Sequence, residues 1–283
     1  MKFLEFHFNP KLAKKKDIIF DTFCFVPEKK EEKNLGYLYL IGQLRNILPK
    51  TKGILVNLAE IIKNEYYKFP DRKASESFKE SLEKANEFLA QEVRKENVSW
   101  LGNLNFGVIS LTPDFSINLS KVGNLKILLL RDGEIFNIAE SINFESSPTK
   151  IFPNFVKGKV SQGDKILMTT PEVFQVFDQE GVFQNLAKAK KSREIKKIFK
   201  EKKKSLKEIS GASLLIIPPK KGILAKNVSF PKIPKLSFLS KSLTSLSQKI
   251  FPHSLLLQEK IKKSVIALLI LLILLLLGWL IFR

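Results

Sequence analysis

A long apolar segment close to the C-terminus constrains the chain most. Residues 264–282 read SVIALLILLILLLLGWLIF and contain no charged side chain. At ~1.5 Å per helical residue, about 19 residues span roughly the ~30 Å hydrocarbon thickness of a bilayer. A buried core helix of this length would rarely lack every charged residue. The sequence therefore predicts a single transmembrane helix over residues 264–283.

Charged residues beside this segment predict its orientation. Lys260, Lys262 and Lys263 precede it, whereas only Arg283 follows it. Because Lys and Arg accumulate on the cytoplasmic side, we expect a single-pass protein of the cell membrane with its N-terminal part in the cytoplasm. Trp279 fits the aromatic belt at the far interface. Two alternatives stay open: a tail-anchored protein, or a further domain outside the membrane.

Composition limits the class of protein. The chain has 48 Lys and Arg against 28 Asp and Glu, a formal net charge of +20, which favours an anionic partner. Its only cysteine is Cys24, so an intramolecular disulfide is impossible and a stapled secreted scaffold is excluded. The N-terminus carries Glu5 and His7 within its short apolar stretch, so it does not resemble a signal peptide.

The segment before the apolar helix differs from the rest of the chain. Residues 218–263 are rich in Pro, Lys and Ser, and Glu259 is their only acidic residue. This composition predicts a linker. Its lysines either contact anionic lipid, at about 1 kcal/mol per residue near the surface, or form a solvated spacer.

Residues 1–217 alternate between strand-like and helix-like patterns. Three alternating segments, KFLEFHF, DIIFDTFCFV and LGYLYLIG, predict strands, and GILVNLAEIIKNEYYKF and ASESFKESLEKANEFLAQEVRK predict amphipathic helices. A second group of strands follows, with turns at Pro113 and at Asp132 and Gly133. Pro171 can begin the next helix. A basic helix and a last strand, ASLLIIPP, complete an α+β pattern.

Four short segments resemble the PPM-type (type 2C) metal-dependent protein phosphatases over nearly all of residues 1–217. GYLYLIGQLRN resembles the strand that ends in V-A-D-G-M-G-G, and SQGDKILMTTPEVF resembles G-D-x-L-L-L-x-S-D-G-L. SGASLLII is similar to the closing D-N-x-T-x-x-V-V strand. KVGNLKILLLRDGEI is the most specific match, because it resembles the hairpin V-G-D-S-R-x-Y-L-x-R-x-G at Val122, Gly123, Leu129, Arg131, Gly133 and Glu134. The resemblance implies a four-layer αββα sandwich and two metal ions held by aspartates.

The aspartates that the resemblance implies as metal ligands are replaced in this sequence. Hard divalent cations need oxygen ligands, and a metal pair needs adjacent carboxylates. Only Asp21 matches the family's early aspartate. The other matching positions hold Gly42 and Gln43, Asn124, Pro171 and Ser210. We therefore predict a pseudophosphatase with no catalytic residue, no metal site and no cofactor.

An enzyme is the first alternative. A divergent serine/threonine phosphatase would bind Mg or Mn by recruiting Asp21, Asp114, Asp132 and Asp164. The last three lie in turns, where Asp commonly serves the backbone.

The second alternative is a basic module that binds lipid or nucleic acid. Residues 188–207 carry many lysines and could contact anionic lipid, nucleic acid or an acidic partner, or remain a solvated helix. Only one aromatic, Phe199, lies among them, so nucleic acid is not expected. The leading hypothesis is a membrane-anchored, cytoplasmic binding or regulatory module with a phosphoprotein or kinase partner.

Overall fold

The computed structural model describes residues 2–142, 150–189, 191–202 and 204–218. The predicted linker, apart from its first residue, and the predicted transmembrane helix lie outside these residues. Among the residues described, no helix combines the length and apolarity that crossing a membrane requires.

Two five-stranded antiparallel sheets form the centre of the fold. Sheet A has the order β1-β10-β9-β6-β7, and sheet B has the order β2-β3-β4-β5-β8. The strands are β1 Lys2–Phe8, β2 Ile18–Phe25, β3 Tyr37–Arg45, β4 Leu104–Leu111, β5 Ser116–Val122, β6 Lys126–Arg131, β7 Glu134–Asn137, β8 Val156–Lys159, β9 Lys165–Thr169 and β10 Gly211–Ile217. The helices are α1 Pro10–Lys15, α2 Ile54–Tyr67, α3 Ala74–Arg94, α4 Pro171–Gln179, α5 Val182–Lys188 and α6 Ser192–Glu201.

Three clusters of buried hydrophobic residues lie between the layers of helices and sheets. The first joins α2 and α3 to one face of sheet B and includes Phe78 and Phe106. The second fills the space between the two sheets, around Ile41 and Ile127. The third joins sheet A to α4, α5 and α6. Helices therefore cover both outer faces of two stacked sheets, which confirms the predicted α+β architecture.

Local signals explain why several elements form where they do. Asp132 and Gly133 both have positive φ, 51° and 89°, as a type I′ hairpin turn between β6 and β7 requires. Helix α4 begins at Pro171, whose fixed φ suits the first helical position. The basic region at residues 188–207 differs from the predicted single helix. It contains the end of α5, helix α6 and a short 3₁₀ turn at Ser205–Lys207.

Candidate functional site

Strand β3 presents two different faces at its end. Leu40 and Leu44 belong to the core under α2 and α3, whereas Ile41 belongs to the core between the sheets. Because side chains alternate along a strand, Gly42 lies on the helix-covered face, and Gln43 and Arg45 lie on the face between the sheets.

Gly42 has no room for a side chain. A Cβ atom there would lie 2.8 Å from Phe106 Cδ2 and 2.9 Å from Leu55 Cδ2. Both neighbours are buried in the core under α2 and α3. The position that the resemblance matched to a metal-binding aspartate is thus part of the apolar core.

Glu172 is the carboxylate that the structure brings to this place. It is the second residue of α4, and it accepts a hydrogen bond from Gln43 Nε2 at 2.8 Å. Its other carboxylate oxygen forms an ion pair and hydrogen bond with the Arg45 guanidinium. The side chains are 43 % exposed for Arg45 and 25 % exposed for Glu172, so the pair lies at the mouth of the space between the sheets.

Amide groups extend these contacts across sheet B. Asn105 Nδ2 donates to Gln43 Oε1 at 3.3 Å, and Asn105 Oδ1 accepts a hydrogen bond from the Asn124 backbone N–H at 2.7 Å. We call Gln43, Arg45, Asn105, Asn124 and Glu172 the Glu172 cluster. In place of several carboxylates, the cluster has amides, one acid and one base.

Two lysines lie beside the Glu172 cluster. Lys121 Nζ donates to the backbone oxygen of Gly123, the residue before Asn124, at 3.4 Å. Burial, and then the nearby charge of Lys126, lower the pKa of Lys121 to about 8. Lys126 Nζ lies 5.5 Å from the ring centroid of Phe174, which belongs to α4. Lys121 therefore adjoins the Asn124 end of the cluster, and Lys126 adjoins the helix that carries Glu172.

Asp21 lies opposite Gly42 in the register of β2 and β3, but its side chain contacts other residues. Its carboxylate accepts a hydrogen bond from the Thr22 backbone N–H at 2.8 Å and lies 3.7 Å from His7 Nε2. Burial raises the pKa of Asp21, although the Thr22 hydrogen bond and the nearby His7 oppose this rise. His7 Nε2 also lies 3.0 Å from Thr22 Oγ1, which donates to Glu5. The structure thus gives Asp21 partners on β1 and β2, whereas Glu172 has partners on β3.

Pro171 and Ser210 supply no acid to the site. Pro171 starts α4, and the preceding Thr170 is held by the Ala212 backbone on β10. Ser210 is 4 % exposed, and within the described residues its hydroxyl has no hydrogen-bond partner. The predicted membrane-flanking residues lie outside the part of the chain that the structure describes; they are Lys260, Lys262, Lys263 and Trp279.

The three remaining candidate aspartates stabilise or form turns. Asp114 accepts hydrogen bonds from Ser116 and Thr112 in the β4–β5 turn, and these bonds lower its pKa. Asp132 lies in the β6–β7 turn. The Asp164 side chain is 3 % exposed and accepts two hydrogen bonds from Arg131, at 2.9 and 2.7 Å. Asp164 also accepts a hydrogen bond from the Ser161 backbone N–H at 2.6 Å, in the turn before β9. The contacts of Asp114 and Asp164 thus support the interpretation that these aspartates serve turns.

The sequence alone did not indicate that Glu172 and Arg45 form an ion pair. Glu172 directly follows Pro171 and stands where the family pattern has a glycine, so the match to a lost aspartate did not include it. Its signal is an acid in the first turn of a helix that a proline begins. Arg45 lies 127 residues earlier, and no local pattern links the two.

No family model matches the chain, and no curated protein matches it. Several solved structures, in contrast, match the chain. PppA, described as a key regulatory component of T6SS in Pseudomonas aeruginosa, matches with 11% identity and a TM-score of 0.50, over 71% of this chain and 97% of that chain. The catalytic domain of the serine/threonine phosphatase PstP matches with 12% identity and a TM-score of 0.51, over 70% and 96%. A bacterial serine phosphatase matches with 10% identity and a TM-score of 0.52, over 77% and 99%.

These neighbours show that the chain has the PPM-type phosphatase fold, which confirms the resemblance found in the sequence. Identities of 10–12% show the fold alone. Activity and partners therefore have to be argued from this chain's own residues.

The prediction that the domain has no cofactor needs correction. The similar PstP domain was solved in complex with two manganese ions, so proteins of this fold do bind metal. The absence of a cofactor is therefore not a property that follows from the fold. In the described part of this chain, no three His, Cys, Asp or Glu side chains lie together as a metal-binding group. The residues of the Glu172 cluster do not fit the aspartate set that the family resemblance implies.

Proposed function

We propose that this protein is a membrane-anchored PPM-fold module that is catalytically inactive toward phosphoesters and binds a partner in the cytoplasm. The Glu172 cluster is the observation that carries this proposal. Both carboxylate oxygens of Glu172 have partners within the protein, Gln43 and the Arg45 guanidinium. A guanidinium neutralises the carboxylate, but it cannot generate a hydroxide from a bound water as a metal ion does.

Phosphatase assays on the full chain in detergent micelles test the inactivity. A generic phosphoester is supplied with saturating manganese or magnesium, and turnover is expected at the rate of the buffer alone. Asp21→Ala and Glu172→Ala are measured beside the wild type. Metal-dependent turnover that either substitution abolishes would reject the inactive module and establish the second candidate function.

That second candidate is a divergent metal-dependent serine/threonine phosphatase. The named neighbours favour it, since two of the three are described as phosphatases. Glu172 would then have to leave Arg45 to contact a metal ion. Replacing Arg45 with Met should raise turnover if this exchange occurs, and it should leave the background rate unchanged if the module is inactive.

The proposed partner is a phosphorylated protein, such as a kinase. Arg45 is 43 % exposed although it is paired with Glu172, so part of its guanidinium is accessible to an anionic group of a partner. An arginine suits phosphate because its planar donors can bind two oxygens. Fluorescence anisotropy with a phosphoserine peptide and its unphosphorylated form tests this. The preference for phosphate should fall in Arg45→Gln and persist in Arg94→Gln on α3.

Attachment to the membrane and the cytoplasmic location are also proposals. Their support is the apolar segment at residues 264–283 and the lysines before it. Hydrophobic insertion is not screened by salt, so the full chain should stay with membranes in high salt. Release by high salt alone would reject the anchor.

A further inference from the structure

A second polar site lies at the opposite end of sheet A from the Glu172 cluster. Strand β9 begins at Lys165 and ends at Thr169, shortly before α4 and Glu172. At its beginning is a cleft of about 1340 Å³. The cleft is bordered by the β6–β7 turn, the β8–β9 turn, the end of α5, the start of α6 and the end of β10.

Positive charge dominates this cleft. The described residues that line it include one acid, Asp132, and five bases: Lys2, Lys165, Lys188, Lys191 and Arg193. Two further acids are near, and the bases stay in excess even when both are counted. Glu194 accepts a hydrogen bond from the Lys191 backbone N–H at 3.1 Å, and Asp164 is bound to Arg131. The cleft is therefore complementary to an anion.

Lys165 is the buried base of the cleft. The residue is 8 % exposed, and its ammonium group donates to the backbone oxygen of Ala187 at 3.0 Å. Burial lowers its pKa, while Asp164 and Glu194 oppose that shift. An ammonium group has three donors, so an anion in the cleft could accept from the same nitrogen that binds Ala187. It would also compensate the cost of removing this charge from water.

The last described residues favour a lipid as the source of the anion. Ile217 and Pro218 line the cleft, and the sequence beyond them predicts a basic linker and a membrane helix. We propose that this cleft binds the phosphate headgroup of an anionic phospholipid, an inference that rests on the proposed membrane attachment. A phosphate diester with a small polar headgroup provides the required charge. The cleft has room for it, since pockets for small molecules usually measure roughly 300–1,000 Å³.

Hydrogen exchange on the full chain in lipid nanodiscs tests the proposal directly. Discs of phosphatidylcholine alone are compared with discs that also contain phosphatidylglycerol. The amides of the turns at residues 131–134 and 161–165 should exchange about tenfold more slowly in the anionic discs, the factor expected when lipid exceeds its Kd about tenfold. Equal exchange in the two discs would overturn the proposal.

Two matched double variants distinguish lipid binding in the cleft from general attraction between a basic protein surface and the membrane. Lys191→Gln with Arg193→Gln removes two bases that line the cleft, and Lys196→Gln with Lys200→Gln removes two exposed bases of α6 that do not. The first variant should lose the slowed exchange, and the second should keep it. Loss in both variants would show general attraction to the membrane surface and reject the cleft.

A third arm tests for a soluble ligand. Inorganic phosphate added to phosphatidylcholine discs should leave the exchange of both turns unchanged, whereas slowing equal to that in anionic discs would assign the cleft to a free anion and overturn the lipid proposal. Failure of the membrane anchor would be seen separately, as loss of the full chain from the discs. The two failures are therefore distinguishable.

Discussion

Replacing Gly42 with Asp is expected to destabilise the protein severely rather than to restore an active site. The Cβ atom alone would lie 2.8 Å from Phe106 and 2.9 Å from Leu55, so those buried side chains would have to move. Overpacking of this kind costs about 1–3 kcal/mol. An unpaired buried carboxylate adds about 3–5 kcal/mol. The sum approaches the whole stability of a typical domain, about 5–15 kcal/mol.

Gly42→Ala is the matched control, because it adds the Cβ atom without the charge. Urea unfolding of the full chain in detergent micelles measures both variants by tryptophan fluorescence, in a Trp279→Phe background. Trp100 is buried in the same core cluster as Phe106 and reports its unfolding. With a slope of about 2 kcal/mol per molar urea, Gly42→Ala should lower the midpoint by roughly 0.5–1.5 M. Gly42→Asp should be largely unfolded without urea or lower the midpoint further.

The reasoning is refuted if Gly42→Asp unfolds at the midpoint of the wild type. In that case the introduced carboxylate would fit without displacing its neighbours or would be exposed to solvent. The assignment of position 42 to the core under α2 and α3 would then be wrong. A stable Gly42→Asp protein with manganese-dependent phosphatase activity would also contradict the proposed inactivity.

Three further predictions concern other contacts. Arg131→Leu should cost about 2–3 kcal/mol in urea unfolding, since it removes the ion pair of the buried Asp164 carboxylate and leaves it the hydrogen bond from the Ser161 backbone N–H. An unchanged midpoint would contradict this. Burial in the folded state lowers the pKa of Lys121 from 10.5 to about 8, so between these values Lys121 binds more protons in the unfolded chain and its contribution to stability rises with pH. Lys165, whose pKa is also lowered, adds a contribution of the same sign, and Cys24, whose pKa is raised by burial, adds one of opposite sign. The wild type should therefore gain stability relative to Lys121→Met as the pH rises through this window, and a constant difference between the two proteins would contradict the prediction. Glu172→Gln should remove the ion pair with Arg45 and cost about 1 kcal/mol in urea unfolding. Glu60→Gln, at an exposed acid of α2, should leave the midpoint unchanged. Equal effects of the two substitutions would refute a specific contribution of the ion pair.

Sequence patterns predicted much of the fold because its signals are local. The alternation in β1 and β2, the Asp132 and Gly133 turn and the Pro171 helix start each depend on a few neighbouring residues. The resemblance to the phosphatase family depends on similar short segments, and the solved neighbours confirm it.

The contents of the candidate site could not be predicted in the same way. Gly42 and Gln43 are adjacent in sequence, but only the faces of the sheet decide which one lies under α2 and α3 and which one lies between the sheets. The contact between Arg45 and Glu172 joins a strand and a helix from opposite halves of the domain. The basic cleft likewise gathers residues from β1, β9, α5 and α6. Such contacts depend on tertiary packing, which periodicity does not encode.

The exchange of carboxylates for an ion pair has a consequence for the proposed inactive module. Several carboxylates held close together repel one another until cations bind between them. The charge balance of such a site therefore depends on metal ions from solution. Here Arg45 is attached to the chain and lies beside the single acid, Glu172. The charge of Glu172 is therefore balanced by a group of the chain itself. In the proposed module, the ends of β3 and α4 can then form a surface that binds a partner. The exposed part of Arg45 is available there to bind an anion.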